Sequence, residues 1–314
     1  MRRVAAAFLA PLAVAAALAG CSSSPTPATP NASVTVSGTA GKAPTVKIPA
    51  LTASSGLVTK TLIKGSGPVL ATGDSYLANF DVYLWRGKTH KLLFSSYATT
   101  PQALPVQMGL SGLQQALSGQ RIGSRVLAVL PPKFGYGTAG NKQIGVKPTD
   151  TLVWVVDLLQ EFPPTASASG KVITNGGGSL PKVFATPGSS PTISIPKSTP
   201  PSKLIVSTLI KGTGALVKTG QAIVVRYVAS IWRTGKVFNN DWPSASAPTT
   251  APNVFVLGQV IPAWNTGLVG VPVGSRVMLV VPPADGYKKA GNPQAGITGT
   301  DTLVFVVDIL ATAS

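Results

Sequence analysis

Whole strings of this chain occur twice, in the same order. Leu62-Ile63-Lys64-Gly65-Ser66-Gly67 returns as Leu209-Ile210-Lys211-Gly212-Thr213-Gly214. Gly123-Ser124-Arg125-Val126 returns as Gly274-Ser275-Arg276-Val277. Thr149-Asp150-Thr151-Leu152-Val153-Trp154-Val155-Val156-Asp157 returns as Thr300-Asp301-Thr302-Leu303-Val304-Phe305-Val306-Val307-Asp308. Preserved order means a duplicated domain. Polar sequence separates the copies, so they are two beads and not a solenoid, whose neighbouring repeats share one core.

Each copy reads mostly as strand. Ala222 to Ile231 is rich in Val and Ile, and Val277 to Val281 is a short apolar run stopped by Pro282-Pro283. Thr302 to Leu310 puts Leu303, Phe305, Val307 and Ile309 on one face, with Thr302 and Asp308 on the other. One segment reads as helix, Pro262 to Val269, with proline in the opening turn, where its missing N–H is harmless. Trp264 and Leu268 lie four apart and share a face of it. The expected fold is α+β, mostly β: in each copy, a curved antiparallel sheet wrapped around one short helix.

Composition sets the boundaries. Residues 21–50 and 163–200 are rich in Ser, Thr, Pro, Ala and Gly, the second including Gly176-Gly177-Gly178. Such stretches read as a flexible tether and a flexible linker, because they bury too little apolar surface to offset ordering entropy. They cut out domains at 51–162 and 201–314. At the amino terminus Arg2 and Arg3 precede an apolar run, Val4 to Ala19, the pattern of an export signal. The run is too short and too rich in small residues for a membrane span. It ends in Leu18-Ala19-Gly20-Cys21, which resembles the bacterial lipobox. That resemblance implies a signal peptide over 1–20, acylation of the Cys21 thiol, and anchoring to the outer face of a bacterial cytoplasmic membrane. The alternative is an ordinary signal peptide with a chance cysteine.

Several chemistries are excluded. Cys21 is the sole cysteine, so no intramolecular disulfide exists, and His90 is the sole histidine, which its neighbours Lys88 and Lys91 place in a solvated loop. No metal cluster, paired carboxylates or phosphate-binding glycine motif is present, and no cofactor is expected. The net charge is +17, but Lys and Arg are scattered through both copies, so nucleic acid is not expected.

The second copy carries an ordered set of motifs. Val260-Ile261-Pro262-Ala263-Trp264 is followed by Gly267-Leu268, Val273-Gly274-Ser275-Arg276, Gly286-Tyr287 and Thr302-Leu303-Val304-Phe305; Tyr227 and Gly235-Lys236-Val237-Phe238 precede it. Together they resemble the FKBP-type peptidyl-prolyl isomerases across essentially one whole domain. The resemblance implies a substrate pocket of Tyr227, Phe238, Val260, Ile261, Trp264, Tyr287, Ile297 and Phe305, with Phe255 as a possible further wall. Trp264 would form the floor, while the Tyr287 hydroxyl and the Ile261 backbone N–H would hold bound carbonyls. The family's acidic residue after the turn phenylalanine is Asn239 here, with Asp241 two residues on as a possible substitute.

The first copy departs further. Its corresponding positions are Phe80, Phe94, Leu113, Tyr136, Val146 and Trp154, with Phe80 lacking the tyrosine hydroxyl and Leu113 in place of the floor tryptophan. The resemblance implies a degenerate pocket there, with activity mainly in the second copy. The expected partners are proline-containing segments of exported proteins and a macrolide ligand, bound by a monomer. The alternative is a non-catalytic peptide-binding or holdase chaperone of the cell envelope.

Overall fold

The computed structural model describes residues 30–107, 109–173 and 179–313. Cys21, the signal segment 1–20 and Gly176 to Gly178 lie outside the described residues.

Each copy is built on an antiparallel sheet. In the first, strands Val58–Ile63, Arg125–Leu130, Thr151–Phe162, Ser75–Arg86 and Thr89–Ser95 lie side by side in that order, and Gln102–Pro105 pairs with the far end of Ser75–Arg86. In the second, Ile205–Lys211, Arg276–Val281, Leu303–Ala313, Ala222–Ile231 and Val237–Asn240 repeat the order, with Asn253–Val256 on the end of Ala222–Ile231. The inner face of each sheet wraps one short helix, α1 (Ser111–Leu117) in the first copy and α2 (Pro262–Leu268) in the second. Leu303, Phe305, Val307 and Ile309 all point into the inner core, as the alternation of that strand requires. His90 is exposed but sits in a strand, Thr89–Ser95, and not in a loop.

Parts of the expected tether and linker are ordered. Strands Thr35–Ser37 and Thr45–Lys47 form a hairpin, and so do Lys182–Phe184 and Thr192–Ser194. The first packs Val34, Val36, Val46 and Ile48 against Trp85, Leu127, Val129, Val153 and Val155 on the outer face of its sheet. The second packs Leu180, Val183, Ile193 and Ile195 against Trp232, Met278, Val280, Val304 and Val306. The reason lies in the sheets: their central strands are apolar on both faces, and such strands need cover on both. A hairpin supplies the missing layer with few side chains. The end of each hairpin segment is pinned by an indole, Trp85 Nε1 donating to the Leu51 carbonyl (2.9 Å) and Trp232 Nε1 to that of Ser198 (3.0 Å).

Beside each hairpin lies a buried ion pair. Arg125 and Asp157 face each other across adjacent strands, as do Arg276 and Asp308. Asp157 also accepts the Gly41 N–H, and Asp308 the Ala168 N–H, each at 2.7 Å. The supposedly loose segments thus donate to carboxylates that burial would otherwise leave incompletely satisfied. In addition, Lys171–Val172 pairs with Ile205–Lys211. The copies touch: Leu77 and Phe162 of the first pack with Ala222, Val224, Ala311 and Ala313 of the second.

Candidate functional site

The second copy gathers its aromatic residues on the inner face of the sheet. Strand Ala222–Ile231 supplies Tyr227, Val237–Asn240 supplies Phe238, Asn253–Val256 supplies Phe255, and Leu303–Ala313 supplies Phe305. Helix α2 presents Trp264 in its first turn, which Pro262 and the extended Ile261 aim at the sheet. Trp264 meets Phe255 at 5.2 Å, Tyr227 at 5.3 Å and Phe305 at 5.8 Å between ring centroids, all edge to face. Phe238 abuts Phe305 edge to face at 5.9 Å. Trp264, Phe305 and Ile297 are buried, while Tyr227, Phe238, Phe255, Val260, Ile261 and Tyr287 are half-buried around them. Every pocket residue expected from the sequence joins this one cluster, Phe255 included.

The polar groups are sparse and specific. Burial, with Asp241 and Tyr287 nearby, pushes the Tyr227 hydroxyl up to about 12, so it remains a protonated donor. The Trp264 indole N–H is buried without a protein partner. The same holds for the Asn239 amide nitrogen. A bulge between Ala229 and Ser230 lets Phe238 pack inward while Asn239 lies opposite Ala229, whose side chain is in the inner core. Asn239 therefore occupies the acidic slot itself. Asp241 does not substitute for it: its carboxylate accepts the Tyr227 N–H (2.7 Å) and the Asn253 amide (2.6 Å), clipping strands together. Burial raises this carboxyl to about 6.

The first copy is less eroded than its sequence implies. Phe80, Phe94, Tyr136 and Trp154 line an apolar cleft of about 420 Å³, with Val82, Leu93, Gln102, Leu104, Ile144 and Leu152, which the sequence reading did not single out. Phe80 lies 5.1 Å from Trp154 and 5.3 Å from Phe94. Leu113 and Val146, by contrast, sit in the core beneath and do not line it. The tryptophan has moved from helix to strand: Leu113 with Trp154 here, Trp264 with Phe305 in the second copy.

A sequence model of the FKBP-type peptidyl-prolyl cis-trans isomerases matches residues 69–159 and again 214–310. The chain belongs to this family. Among its relatives, the probable FK506-binding protein of Corynebacterium glutamicum is 32% identical over 123 residues, 38% of this chain and 97% of the relative. The FK506-binding protein of Streptomyces anulatus is likewise 32% identical over 123 residues, 38% of this chain and 95% of the relative. Of solved structures, the peptidyl-prolyl cis-trans isomerase of Pseudomonas syringae aligns at 28% identity and a TM-score of 0.31, over 35% of this chain and 76% of that one. The two matched segments cover most of each sheet, begin after the edge strands Val58–Ile63 and Ile205–Lys211, and leave both covering hairpins outside.

Proposed function

We propose that this FKBP-type protein is an active peptidyl-prolyl isomerase that assists the folding of exported proteins, with turnover in the second copy. The observation that carries the reading is the cage of Tyr227, Phe255, Trp264 and Phe305, whose rings stand 5.2 to 6.2 Å apart. An X–Pro bond exchanges unaided in tens to hundreds of seconds, because twisting it removes amide resonance. A twisted amide is less dipolar than a planar one. An apolar aromatic cage therefore disfavours the planar ground state relative to the twisted state, and that difference is catalysis. The Tyr287 hydroxyl and the Ile261 N–H hold the flanking carbonyls and fix the twist. No acid-base pair is needed, and Asp241 is committed to the strand frame.

The export signal and Cys21 place the protein, in this proposal, on the outer face of a bacterial cytoplasmic membrane through acyl chains. The test is cis/trans relaxation of an X–Pro peptide by the full chain without its first 20 residues. Acceleration that FK506 blocks and Trp264→Ala abolishes supports the reading; a folded protein without acceleration refutes it. Labelling of the intact chain, but not of Cys21→Ser, by a fatty-acid probe tests the anchor.

A second reading concerns the first copy. Its cleft is apolar but has Phe80 where the second has Tyr227, and it takes the role of a peptide-binding site without turnover.

A further inference from the structure

One residue of the second copy departs from backbone preference. Lys288, directly after the pocket residue Tyr287, has φ +55°, and it is the only non-glycine with positive φ among the described residues. The matching position in the first copy, after Tyr136, is Gly137, at φ +61°. Glycine takes this conformation freely and lysine does not, so the lysine carries a local strain that the first copy avoids. Strain retained beside a site points to a role there.

The exposed charge around that residue is basic. Lys289 follows it, and the Lys236 ammonium lies 3.9 Å from where a Cβ on Gly296 would stand, next to the pocket residue Ile297. These three lysines are exposed. The nearest carboxylates are withdrawn from solvent: Asp285, three residues before Lys288, is half-buried and Asp241 is buried in the strand frame, while Asp74, Asp81, Asp150, Asp157, Asp301 and Asp308 are buried and Glu161 is half-buried. No described acidic residue is exposed, while every lysine is. Within the pocket, Asn239 replaces the acid with a neutral amide whose nitrogen has no partner. The site therefore offers donors and positive charge around an apolar cage.

We propose that the second copy selects proline segments flanked by acidic side chains, with Lys288, Lys289 and Lys236 as the specificity-determining residues. This rests on the isomerase reading above. Exposed rim charges act through long-range attraction, so they change the capture of substrate more than its turnover, and salt screens them. Lys288 also sets stability against selectivity, since the residue that improves recognition strains the turn.

The experiment compares three X–Pro peptides that differ only in Glu, Gln or Lys beside the X–Pro pair, with the full chain lacking its first 20 residues. At low ionic strength the Glu peptide is expected to show kcat/KM about tenfold above the Lys peptide, through KM, with the gap closing to about twofold at ~0.5 M salt. Lys288→Gln with Lys289→Gln narrows the gap, and Lys288→Arg keeps it. Lys288→Gly narrows it too while raising the thermal midpoint, a combination that a structural role for the lysine does not produce. Equal rates on all three peptides at low salt overturn the selectivity. No acceleration of any peptide overturns the isomerase reading, and this inference with it.

Discussion

Replacing Asp308 by Asn tests whether the segment between the copies is clamped. The carboxylate sits fully buried and accepts from Arg276 Nε, from Arg276 Nη2 at 2.7 Å and from the Ala168 N–H at 2.7 Å. An asparagine has one acceptor oxygen. Placed on the side shared by Arg276 Nη2 and Ala168, that oxygen leaves the new NH2 against the Arg276 Nε–H, donor facing donor. The guanidinium, with 4% of its side chain exposed, also loses its counter-charge. A second buried guanidinium stands close by, as both Arg226 and Arg276 lie over the Trp242 ring at 5.7 and 6.0 Å. Removing one partner of such a pair costs about 3–5 kcal/mol, and the neighbouring Arg226 places the expectation at the upper end. Urea unfolding followed by tryptophan fluorescence should show the second copy melting earlier by that amount, and limited proteolysis should cut faster within 163–200. Arg276→Met with Asp308→Leu should recover most of the loss, because an apolar pair of similar volume needs no counter-charge. A shift below about 1 kcal/mol, with unchanged proteolysis, would refute the clamp.

Four further outcomes are expected. Trp264→Leu, which installs the residue of the first copy, removes three edge-to-face contacts and should cost about 2–4 kcal/mol in urea titrations while abolishing most isomerase activity. Asp241, raised to about 6 by burial, binds its proton more tightly folded than unfolded, so its contribution to stability falls as pH rises from about 4 to 6; Asp241→Asn should flatten that part of the urea-midpoint profile. Asp301, held down to about 2 chiefly by Arg233, acts in the opposite sense, its stabilisation present above the ordinary aspartate range and lost as pH falls towards 2. Leu77→Asp places a carboxylate in the apolar contact between the copies and should broaden the intercopy distance distribution in solution scattering.

The sheets and the cage were legible because their signals are local and ordered. Ala222–Ile231 and the start of α2 fall where strand composition and Pro262 put them. The eight residues that the family resemblance implies for the second pocket share one cluster, because the motifs that carry them keep their order along the chain. The covering hairpins were not, since Thr35–Ser37 and Lys182–Phe184 are three-residue strands in polar sequence. A signal for them did exist, in the strands they cover. Arg125–Leu130 and Arg276–Val281 are buried at every position, and continuous apolar runs of that kind ask for a second layer. The cleft of the first copy was harder to read, because its tryptophan, Trp154, stands on a strand and Leu113 holds the helix position where the second copy has Trp264.

The hairpins also redefine what was copied. Pro44-Thr45-Val46-Lys47-Ile48-Pro49 answers Pro191-Thr192-Ile193-Ser194-Ile195-Pro196, so the unit of inheritance is a domain together with its lid. Cutting the gene at the edge of the family domain would strip that lid and leave Met278, Val280, Val304 and Val306 facing water. A fragment made that way would be sticky for want of its own cover, and its insolubility would say nothing about the sheet beneath. The smallest piece worth isolating begins before Ala168, at the point where the preceding copy ends.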